Sequence, residues 1–328
     1  MIGRALFVIT FAAVAAGCNG GGTNPPLFFT GTAAPTVTPT PTLQHLYVGN
    51  SSTLPVVEIN RYDLPITSIF QGPSLALNPP APGLVLALGL DAAGNLGVGL
   101  IDGTLLFYNA PLSGASTPAA RFPNGNAWTQ TQIAFTAAGD LFAAAGNRVN
   151  VFTHPFSNAS TPSSITNPAL YFTGGVVLDA AQNLYIANTG NGAGSNLFVY
   201  ARPYSRAPTI TALVPGTSYR GPAAISATQL FVTSPPGQVD VYNLPITAAS
   251  VPAFSITNGV NFPTAAAVDA AGNLYLSNFA SPILNIYAPP FSAVSSPAMR
   301  LGVYGCCASL MNPGGSAGFA ISTLMIGK

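Results

Sequence analysis

The chain has 328 residues, 48% of them hydrophobic, so it is long enough to bury a substantial core in one large domain or two ordinary ones. Charged residues make up only 5% and the formal net charge is +1, which excludes a nucleic-acid binder that needs a basic stripe to neutralise phosphates. Gly (34) and Pro (31) are abundant while the helix formers Lys and Glu almost vanish, so a helical protein is not expected.

The N-terminus has the pattern of an export signal. Arg4 is followed by an apolar run over residues 5–17, which is too short to span a bilayer, since that needs about 20 residues. The end of this run, Ala15-Ala16-Gly17-Cys18, resembles the bacterial lipoprotein signal, in which the cysteine is lipidated and the preceding peptide is removed. The resemblance implies an exported protein held in the bacterial cell envelope, periplasmic or at the cell surface, by a lipid on Cys18. A plain secretory cleavage site is the alternative.

Residues 18–42 are expected to form a tether behind the signal peptide of residues 1–17. The glycines at 20–22 are flexible, and the alternation of Pro and Thr over residues 35–42 predicts an extended, stiff segment. A tether of this kind would hold a globular domain away from the membrane.

One pattern occurs six times in the rest of the chain: an apolar residue, a variable one, Val or Ile, then Tyr or Phe, and proline three positions after this aromatic. Phe107 replaces Val or Ile in the second copy, and the first copy is irregular before its aromatic. Successive aromatics lie 42 to 48 residues apart. Such even spacing is the signature of a repeat architecture, in which each copy is one supersecondary unit. The copies are Tyr62–Pro65, Tyr108–Pro111, Phe152–Pro155, Tyr200–Pro203, Tyr242–Pro245 and Tyr287–Pro290.

A second unit precedes these copies, most completely at Asp179–Asn188 and Asp269–Asn278. An apolar run before Asp predicts a strand A, the Ala-Ala-Gly-Asn that follows predicts a tight turn, and Leu-Tyr-apolar predicts a strand B. The segment that ends at the aromatic predicts a strand C, which proline ends because it cannot donate to a β-ladder, and a strand D follows. Four strands per repeat predict an all-β fold, a six-bladed β-propeller of four-stranded antiparallel blades, with the small residues of strand A lining its axis.

The two ends of the chain are expected to complete one blade together. Leu46–Asn50 reads as a strand B that has lost its strand A, and Gly318–Ile321 reads as the missing strand. Pairing of the two would close the ring and remove two free sheet edges. The propeller is therefore expected over residues 43–323, with 324–328 as a tail; a competing strand or the start of a seventh blade is the alternative for this tail.

The Asp-x-x-Gly-Asn-Leu-Tyr pattern resembles the NHL-repeat type of six-bladed propeller. The gluconolactonase/regucalcin-like propellers and the YVTN propellers of surface layers are similar, and the resemblance covers roughly residues 46–321. It implies the architecture but not an activity, because propellers of this type include lactonases, lyases and pure binding modules.

Regularly placed polar residues suggest two sites. Asp91, Asp179 and Asp269 could form a ring of metal ligands, but each is better explained as an acceptor for the backbone of its own turn, and no metal is expected. Asn50, Asn188 and Asn278 end their B strands at the other face. They could bind a ligand at the mouth of the channel or could cap local loops.

The connections from strand D to the next strand A should share that face and carry the most unusual side chains of the chain. Aromatic residues and an arginine around a concave mouth could bind a sugar, a peptide or an apolar ligand, although packing between blades explains aromatics as well. These candidate ligand-binding residues are Trp128, Tyr171, Tyr219, Arg220, Phe262 and Tyr304.

Cys306 and Cys307 are adjacent in sequence and follow Tyr304. In an oxidising compartment they could close a vicinal disulfide, a flat and stiff patch on which a ligand could stack. Two free thiols and links to another chain are the alternatives. A metal site is disfavoured, because no further Cys or His lies nearby in the sequence.

Two functions are compatible with these features. The favoured hypothesis is a non-catalytic binding or scaffolding propeller that is anchored in the membrane by its lipid and needs no cofactor. Its partner would be a protein, a glycan or a small molecule, and not a nucleic acid. The alternative is a metal-dependent lactonase, hydrolase or lyase of the gluconolactonase type. That resemblance implies a Glu at the axis, whereas the one Glu of this chain, Glu58, is predicted in or beside a strand C.

Overall fold

The structure, a computed structural model, describes residues 44–50, 58–80, 84–125, 132–189, 195–204, 207–214, 223–234, 236–278, 281, 283–302 and 321–327. For residues 50, 213–214 and 321–327 only the backbone is described. The described residues form strands, turns and bends but no helix. None of them therefore belongs to a helix long and apolar enough to cross a membrane.

Twenty-four strands form six antiparallel four-stranded sheets, which we call blades and whose strands we call A to D from one edge of each sheet to the other. Blade 1 combines the end and the start of the described chain: β24 (Ile321–Gly327), β1 (His45–Asn50), β2 (Ile59–Asp63) and β3 (Leu75–Leu77). Blade 2 contains β4 (Val85–Leu90), β5 (Leu96–Leu100), β6 (Thr104–Tyr108) and β7 (Ala120–Pro123). Blade 3 contains β8 (Ile133–Phe135), β9 (Leu141–Ala144), β10 (Arg148–Phe152) and β11 (Ser163–Thr166). Blade 4 contains β12 (Phe172–Leu178), β13 (Leu184–Thr189), β14 (Ser195–Tyr200) and β15 (Ile210–Val214). Blade 5 contains β16 (Ala223–Ile225), β17 (Gln229–Ser234), β18 (Gln238–Asn243) and β19 (Phe254–Ile256). Blade 6 contains β20 (Pro263–Val268), β21 (Leu274–Asn278), β22 (Ile283–Tyr287) and β23 (Met299–Gly302).

The six A strands contact one another in a closed circle. In order, β24 lies against β4, β4 against β8, β8 against β12, β12 against β16, β16 against β20, and β20 again against β24. Strand A of every blade therefore faces a common axis and strand D lies at the rim. This arrangement confirms the predicted six-bladed β-propeller, with its ring closed by the C-terminal strand.

The closing strand lies further along the chain than the sequence analysis predicted. Strand β24 pairs antiparallel with β1, with Ile326 opposite Leu46 and Leu324 opposite Val48. In blade 4 the corresponding pair is Leu178 opposite Leu184. The apolar residues Leu324-Met325-Ile326 therefore occupy the inner position that we had assigned to Gly318–Ile321. Residues 324–327 are accordingly part of blade 1, and the expectation of a C-terminal tail there was wrong.

The antiparallel order places the connections at two opposite ends of the ring. The D–A connections and the B–C turns lie at one end, which we call the D–A end, and the A–B turns and C–D connections lie at the other. Tyr171 and Phe262 belong to the D–A end, since they stand immediately before the first residues of strands β12 and β20. Asp179 and Asp269 belong to the opposite end, since they directly follow these strands.

The aromatic that is the last or the second-last residue of each strand C is fully buried, and it packs against the preceding blade. Tyr62 of blade 1, for example, lies in one apolar cluster with Ala265, Leu284 and Leu301 of blade 6. Burial of such a ring contributes about 1.5–3 kcal/mol, which explains why the repeat keeps an aromatic here. The six rings are Tyr62, Tyr108, Phe152, Tyr200, Tyr242 and Tyr287. In every blade the proline three residues later follows a cis peptide bond.

The rim strands are partly covered by the neighbouring blade. The N–H of Gly302 in β23 donates to the carbonyl oxygen of Ile69 in blade 1 at 2.8 Å, and the N–H of Arg121 in β7 donates to Asn158 Oδ1 in blade 3 at 2.9 Å. In both cases the acceptor lies on the C–D connection of the next blade. Edge groups of strand D that could recruit another strand are thereby used within the ring.

Candidate functional site

Asn188 fastens the D–A connection that leads into blade 4. Its Oδ1 accepts the N–H of Tyr171 at 3.0 Å, and its Nδ2 donates to the carbonyl oxygen of Ala169 at 3.0 Å. The side chain is buried at the end of β13. One amide thus satisfies a donor and an acceptor of a connection that has no ladder of its own.

Asn278 makes the same clamp in blade 6. Its Oδ1 accepts the N–H of Asn261 at 3.0 Å, and its Nδ2 donates to the carbonyl oxygen of Gly259 at 2.7 Å. Both asparagines proposed from the sequence as ligand-binding residues therefore hold the chain at the D–A end. A ligand would have to replace these bonds to reach either amide, so their direct role in binding stays a prediction.

Strand C supplies further anchors, which the sequence analysis did not single out. Asn285 Nδ2 donates to the carbonyl oxygen of Gly259 at 2.8 Å, and Asn150 Nδ2 donates to the carbonyl oxygen of Asn124. Both side chains are buried, two residues before the aromatic of the repeat. A polar residue in the middle of an otherwise apolar strand was the available signal, because a buried amide needs a hydrogen-bonding partner.

Tyr171 and Phe262 present aromatic rings to solvent at the D–A end. Their relative exposures are 55% and 51%, whereas the six strand C aromatics are fully buried. Phe262 has a φ of 45°, a left-handed conformation that a bulky residue rarely adopts. Its N–H donates to the carbonyl oxygen of Pro236 at 2.6 Å, which links this connection to the B–C turn of blade 5.

The turn aspartates serve their own blades at the opposite end of the ring. Asp269 Oδ1 accepts the N–H of Asn273 at 2.8 Å, while its Oδ2 accepts Asn273 Nδ2 at 2.8 Å and the Tyr275 hydroxyl at 3.0 Å. Asp179 makes the same three bonds. The prediction that these acids stabilise their turns is confirmed. Burial, followed by the neighbouring aspartate charge, raises the pKa of Tyr275 above its ordinary value.

A cavity of about 210 Å³ lies on the axis between the A strands of blades 3 to 6. Its lining is apolar, with small residues on β16 and β20, as the alanines of these strands predicted. The lining residues are Gln132, Ile133, Ala134, Phe135, Val176, Val177, Leu178, Ala223, Ala224, Ile225, Ala266, Ala267 and Val268.

Gln132 is the polar side chain of this lining, and it ties three blades together. Its Oε1 accepts the N–H groups of Val176 and Ala223, both at 3.0 Å, and its Nε2 donates to the carbonyl oxygen of Ala223 at 2.6 Å. The A strands have free inner edges at the axis, so the amide satisfies backbone groups that no fifth strand can reach. The corresponding positions in β4, β12 and β20 hold Ala87, Gly175 and Ala265, and this contrast in size was the sequence signal for Gln132.

The acidic residue required by the lactonase-type alternative lies away from the axis. Glu58 directly precedes β2, the strand C of blade 1, and its Oε2 accepts Asn60 Nδ2 at 3.3 Å. Within the described residues no three His, Cys, Asp or Glu side chains are grouped so that they could hold a metal ion.

Several residues proposed from the sequence lie outside the described part of the chain: Cys18, Trp128, Tyr219, Arg220, Tyr304, Cys306, Cys307 and the side chain of Asn50. In the sequence, Trp128 stands seven residues before the last residue of β8, and Tyr219 stands six residues before the last residue of β16. The described aromatics Tyr171 and Phe262 stand seven and six residues before the last residues of β12 and β20.

No protein-family model and no curated protein matches the chain. Among solved structures, it is similar to the β-propeller domain of Cps50 (Swd1) from Myceliophteria thermophila, with a TM-score of 0.55, 11% identity, and coverage of 75% of this chain and 82% of that chain. It is also similar to a protein of unknown function from Bacteroides caccae (TM-score 0.56, 12% identity, 87% and 99% covered). The WD40 β-propeller domain of Doa1 is a third similar structure (TM-score 0.54, 9% identity, 78% and 79% covered). At these identities the likeness shows the fold alone.

Proposed function

We propose that this protein is an exported, lipid-tethered binding module, whose β-propeller contacts its ligand or partner through the D–A end. The lipoprotein-like sequence Ala15-Ala16-Gly17-Cys18 and the tether behind it support the anchoring in a bacterial cell envelope. The Asp-x-x-Gly-Asn-Leu-Tyr copies support a relationship to NHL-type propellers. Two of the similar structures are described as propeller domains, a fold that hosts many binding functions.

The conformation of Phe262 is the observation that carries the binding function. A left-handed backbone at a bulky residue costs about 1–3 kcal/mol, and such strain tends to be retained at functional sites. A glycine or asparagine would adopt this φ more easily, yet the position holds a ring that is half-exposed. Burial in the core therefore does not account for the ring, whereas contact with a ligand does.

A binding role fits the axis better than the lactonase-type alternative does. The described wall of the axial cavity is apolar apart from Gln132, whose amide is bonded to the backbone of two other blades. Ca²⁺ and Mg²⁺ prefer oxygen ligands, whereas the side chains of this wall are apolar apart from Gln132.

The anchor is tested by membrane partition of the full chain expressed in a bacterial host. We expect the wild type to enter the detergent phase of a Triton X-114 separation, and the Cys18→Ala variant to stay in the aqueous phase. Mass spectrometry of the N-terminal peptide should show acyl groups on Cys18. Cleavage at another residue, or equal partition of the two proteins, would contradict the lipid anchor and favour plain secretion.

The binding surface is tested by screening the full chain against arrays of glycans, peptides and small molecules. Phe262→Asn should lose the interaction that the wild type shows. Phe70→Asn is the matched control, because Phe70 is also an exposed aromatic (69%) but lies on a C–D connection at the opposite end of the ring. Loss of binding in the Phe70 variant together with retention in the Phe262 variant would contradict the proposal.

A further inference from the structure

We infer that the axial cavity binds a small neutral amide, a primary carboxamide or a lactam, attached to an apolar body of the size of a benzene ring. The described walls of this site are the A strands of blades 3 to 6, together with Gln132 directly before β8. The site lies inside the ring and is distinct from the surface around Phe262, so it goes beyond the proposed function.

Gln132 shows which chemical group the inner edges of the A strands accept. Its carboxamide bonds to both polar backbone groups of Ala223: Oε1 accepts the N–H at 3.0 Å, and Nε2 donates to the carbonyl oxygen at 2.6 Å. The same Oε1 accepts the N–H of Val176 in the neighbouring blade at 3.0 Å. A further strand beside Ala223 would pair with the same N–H and C=O groups. One planar amide thus takes the place of a strand at the axis.

The same pair of backbone groups recurs one step further along two of these strands. Backbone N–H and C=O groups alternate between the two edges of a strand, and the N–H groups of Val176 and Ala223 face the axis. Leu178 and Ile225 stand two residues further on, so their N–H and C=O groups face the axis as well. Both residues line the cavity, where the side chains other than Gln132 are apolar.

The first residue of each A–B turn confirms this direction. The N–H of Asp179 donates to the carbonyl oxygen of Asn183 at 3.1 Å, and that of Ser226 donates to the carbonyl oxygen of Gln229 at 2.8 Å. These bonds run within the blade, away from the axis, so the groups one residue earlier point the other way. The first turn residues of blades 3 and 6 make equivalent bonds. The lining residues whose backbone groups face the axis at this level are Phe135, Leu178, Ile225 and Val268.

A neutral ligand with both a donor and an acceptor fits these groups. Each of the four residues offers one N–H and one C=O, so a cation would meet N–H groups and an anion would meet carbonyl oxygens. The described wall contains no charged residue, and the nearby Asp179 and Asp269 are bonded to Asn and Tyr partners of their own blades. A primary carboxamide or a lactam carries N–H and C=O on one side, as Gln132 does, and can bond to both groups of one residue.

The volume of the cavity limits the body of the ligand. An apolar cavity of about 150 Å³ holds one benzene ring. This cavity has about 210 Å³, so a benzene ring with one amide substituent fits. Val176 and Ala223 are buried beside Gln132, whereas Leu178 and Ile225 are half-buried. Exposure thus rises from Gln132 towards the A–B turns, which is the side from which a small molecule can enter.

A ligand-observed NMR titration of the full chain with small aromatic amides tests this site. We expect benzamide to bind with a dissociation constant on the order of 1 mM, as its size allows. N,N-dimethylbenzamide has no N–H, benzoate is charged and benzyl alcohol has no amide, so each should bind at least about tenfold more weakly. Equal binding of benzamide and N,N-dimethylbenzamide, or no binding of benzamide, would overturn the inference.

Ligand size and a glutamine variant locate the binding in the cavity. 2-Naphthamide is too large for the wild-type cavity and should bind at least about tenfold more weakly than benzamide. Gln132→Ala removes the carboxamide that crosses the axis, so this variant should gain affinity for 2-naphthamide. Gln182→Ala is the matched control, because Gln182 bonds to Ala137 of the neighbouring blade but does not line the cavity. A gain in both variants, or in neither, would contradict binding at the axis.

Two further comparisons keep the site distinct from folding defects and from the D–A end. The wild-type comparison of benzamide with N,N-dimethylbenzamide decides the inference even where Gln132→Ala does not fold, which circular dichroism shows. Phe262→Asn should bind benzamide as the wild type does, because Phe262 stands before β20 at the other end of the strand. Loss of benzamide binding in this variant would assign the amide to the D–A end and overturn the inference, while the proposed function would stand.

Discussion

The backbone N–H of Ala270 in blade 6 donates to Oε1 of Gln44 in blade 1 at 3.0 Å, although 226 residues separate the two. The same bond joins blades 3 and 4, where the N–H of Ala137 donates to Oε1 of Gln182 at 2.7 Å. Both glutamines stand two residues before the leucine that opens the common Leu-Tyr segment of strand B, and both alanines follow the first residue of an A–B turn. Glutamine at this position thus acts as a clasp between neighbouring blades.

Loss of the clasp at the closure of the ring should destabilise the protein. For Gln44→Ala we expect the free energy of unfolding to fall by about 0.5–1.5 kcal/mol, the net value of one intramolecular hydrogen bond. Urea denaturation followed by circular dichroism measures it. Gln44→Glu keeps an acceptor oxygen and should retain most of the stability; an equal loss in both variants would show that the bond to Ala270 contributes nothing.

Gln182 provides an internal comparison, because its backbone has a φ of 66° where other A–B turns place Gly94, Gly139 and Gly272. In Gln182→Gly, relief of the left-handed conformation opposes loss of the bond to Ala137. We expect the two effects to cancel to within about 1 kcal/mol. Gln182→Ala loses the bond without relief of strain, so its denaturation midpoint should lie below that of the glycine variant. The opposite order would mean that position 182 carries no backbone strain.

Replacement of Gln132 should be among the most damaging single changes in the described core. In Gln132→Leu the N–H groups of Val176 and Ala223 lose their acceptor beside an apolar wall, and unsatisfied buried groups cost about 1–3 kcal/mol each. Gln132→Ala leaves space in which water can bond to these groups, so its loss of stability should be smaller. Equilibrium urea unfolding of both variants checks this order. A leucine variant as stable as the wild type would show that the hydrogen bonds of Gln132 do not stabilise the A strands.

Gly97 should not tolerate a side chain. A Cβ at this position would lie 2.9 Å from Phe135 Cζ and 3.1 Å from Ile133 Cδ1, both of which belong to blade 3. Gly97→Ala should therefore cost about 1–3 kcal/mol through overpacking between blades 2 and 3. Gly72→Ala is the matched control, since a Cβ there meets nothing within 4 Å. Thermal unfolding should separate the two variants, and similar midpoints would contradict the packing argument.

Alkaline pH should unfold the protein through its buried tyrosines. Burial raises the pKa of Tyr287 to about 12, and burial also raises the pKa values of Tyr108, Tyr185 and Tyr275 above the ordinary value of about 10. Below pH 10 the phenols are neutral in both states, so this contribution to stability is complete. Above it the unfolded chain loses protons first, and stability falls as the pH rises through the folded-state values.

Absorbance at 295 nm and circular dichroism, recorded on the same samples, test this coupling. We expect a steep ionisation step that coincides with loss of β-sheet signal, whereas the chain in guanidinium should titrate gradually near pH 10. Ionisation of all tyrosines near pH 10 with the sheet signal intact would show that the strand C rings are open to solvent.

Much of the fold is determined by short local segments of the sequence. The aromatic-x-x-proline copies end strand C, and the Asp-Ala-Ala-Gly-Asn segments form the A–B turns, because both depend on the chemistry of neighbouring residues. The even spacing of these signals determined the number of blades. The alanines at 223–224 and 265–267 determined the narrow axis, since only small side chains fit where the A strands converge.

Contacts between distant residues were decided only by the tertiary structure. Gly318–Ile321 and Leu324–Ile326 both have the pattern of a short apolar strand, and pairing with Leu46 and Val48 selected the second. Gln132 and Gln44 bond to backbone groups of other blades, and these partners are set by the tertiary structure. Phe262 was proposed from the sequence as one candidate ligand-binding aromatic among several. Its strained backbone, its bond to Pro236 and its half-exposed ring follow from the meeting of blades 5 and 6, because residues far apart in the chain become neighbours only when the ring closes.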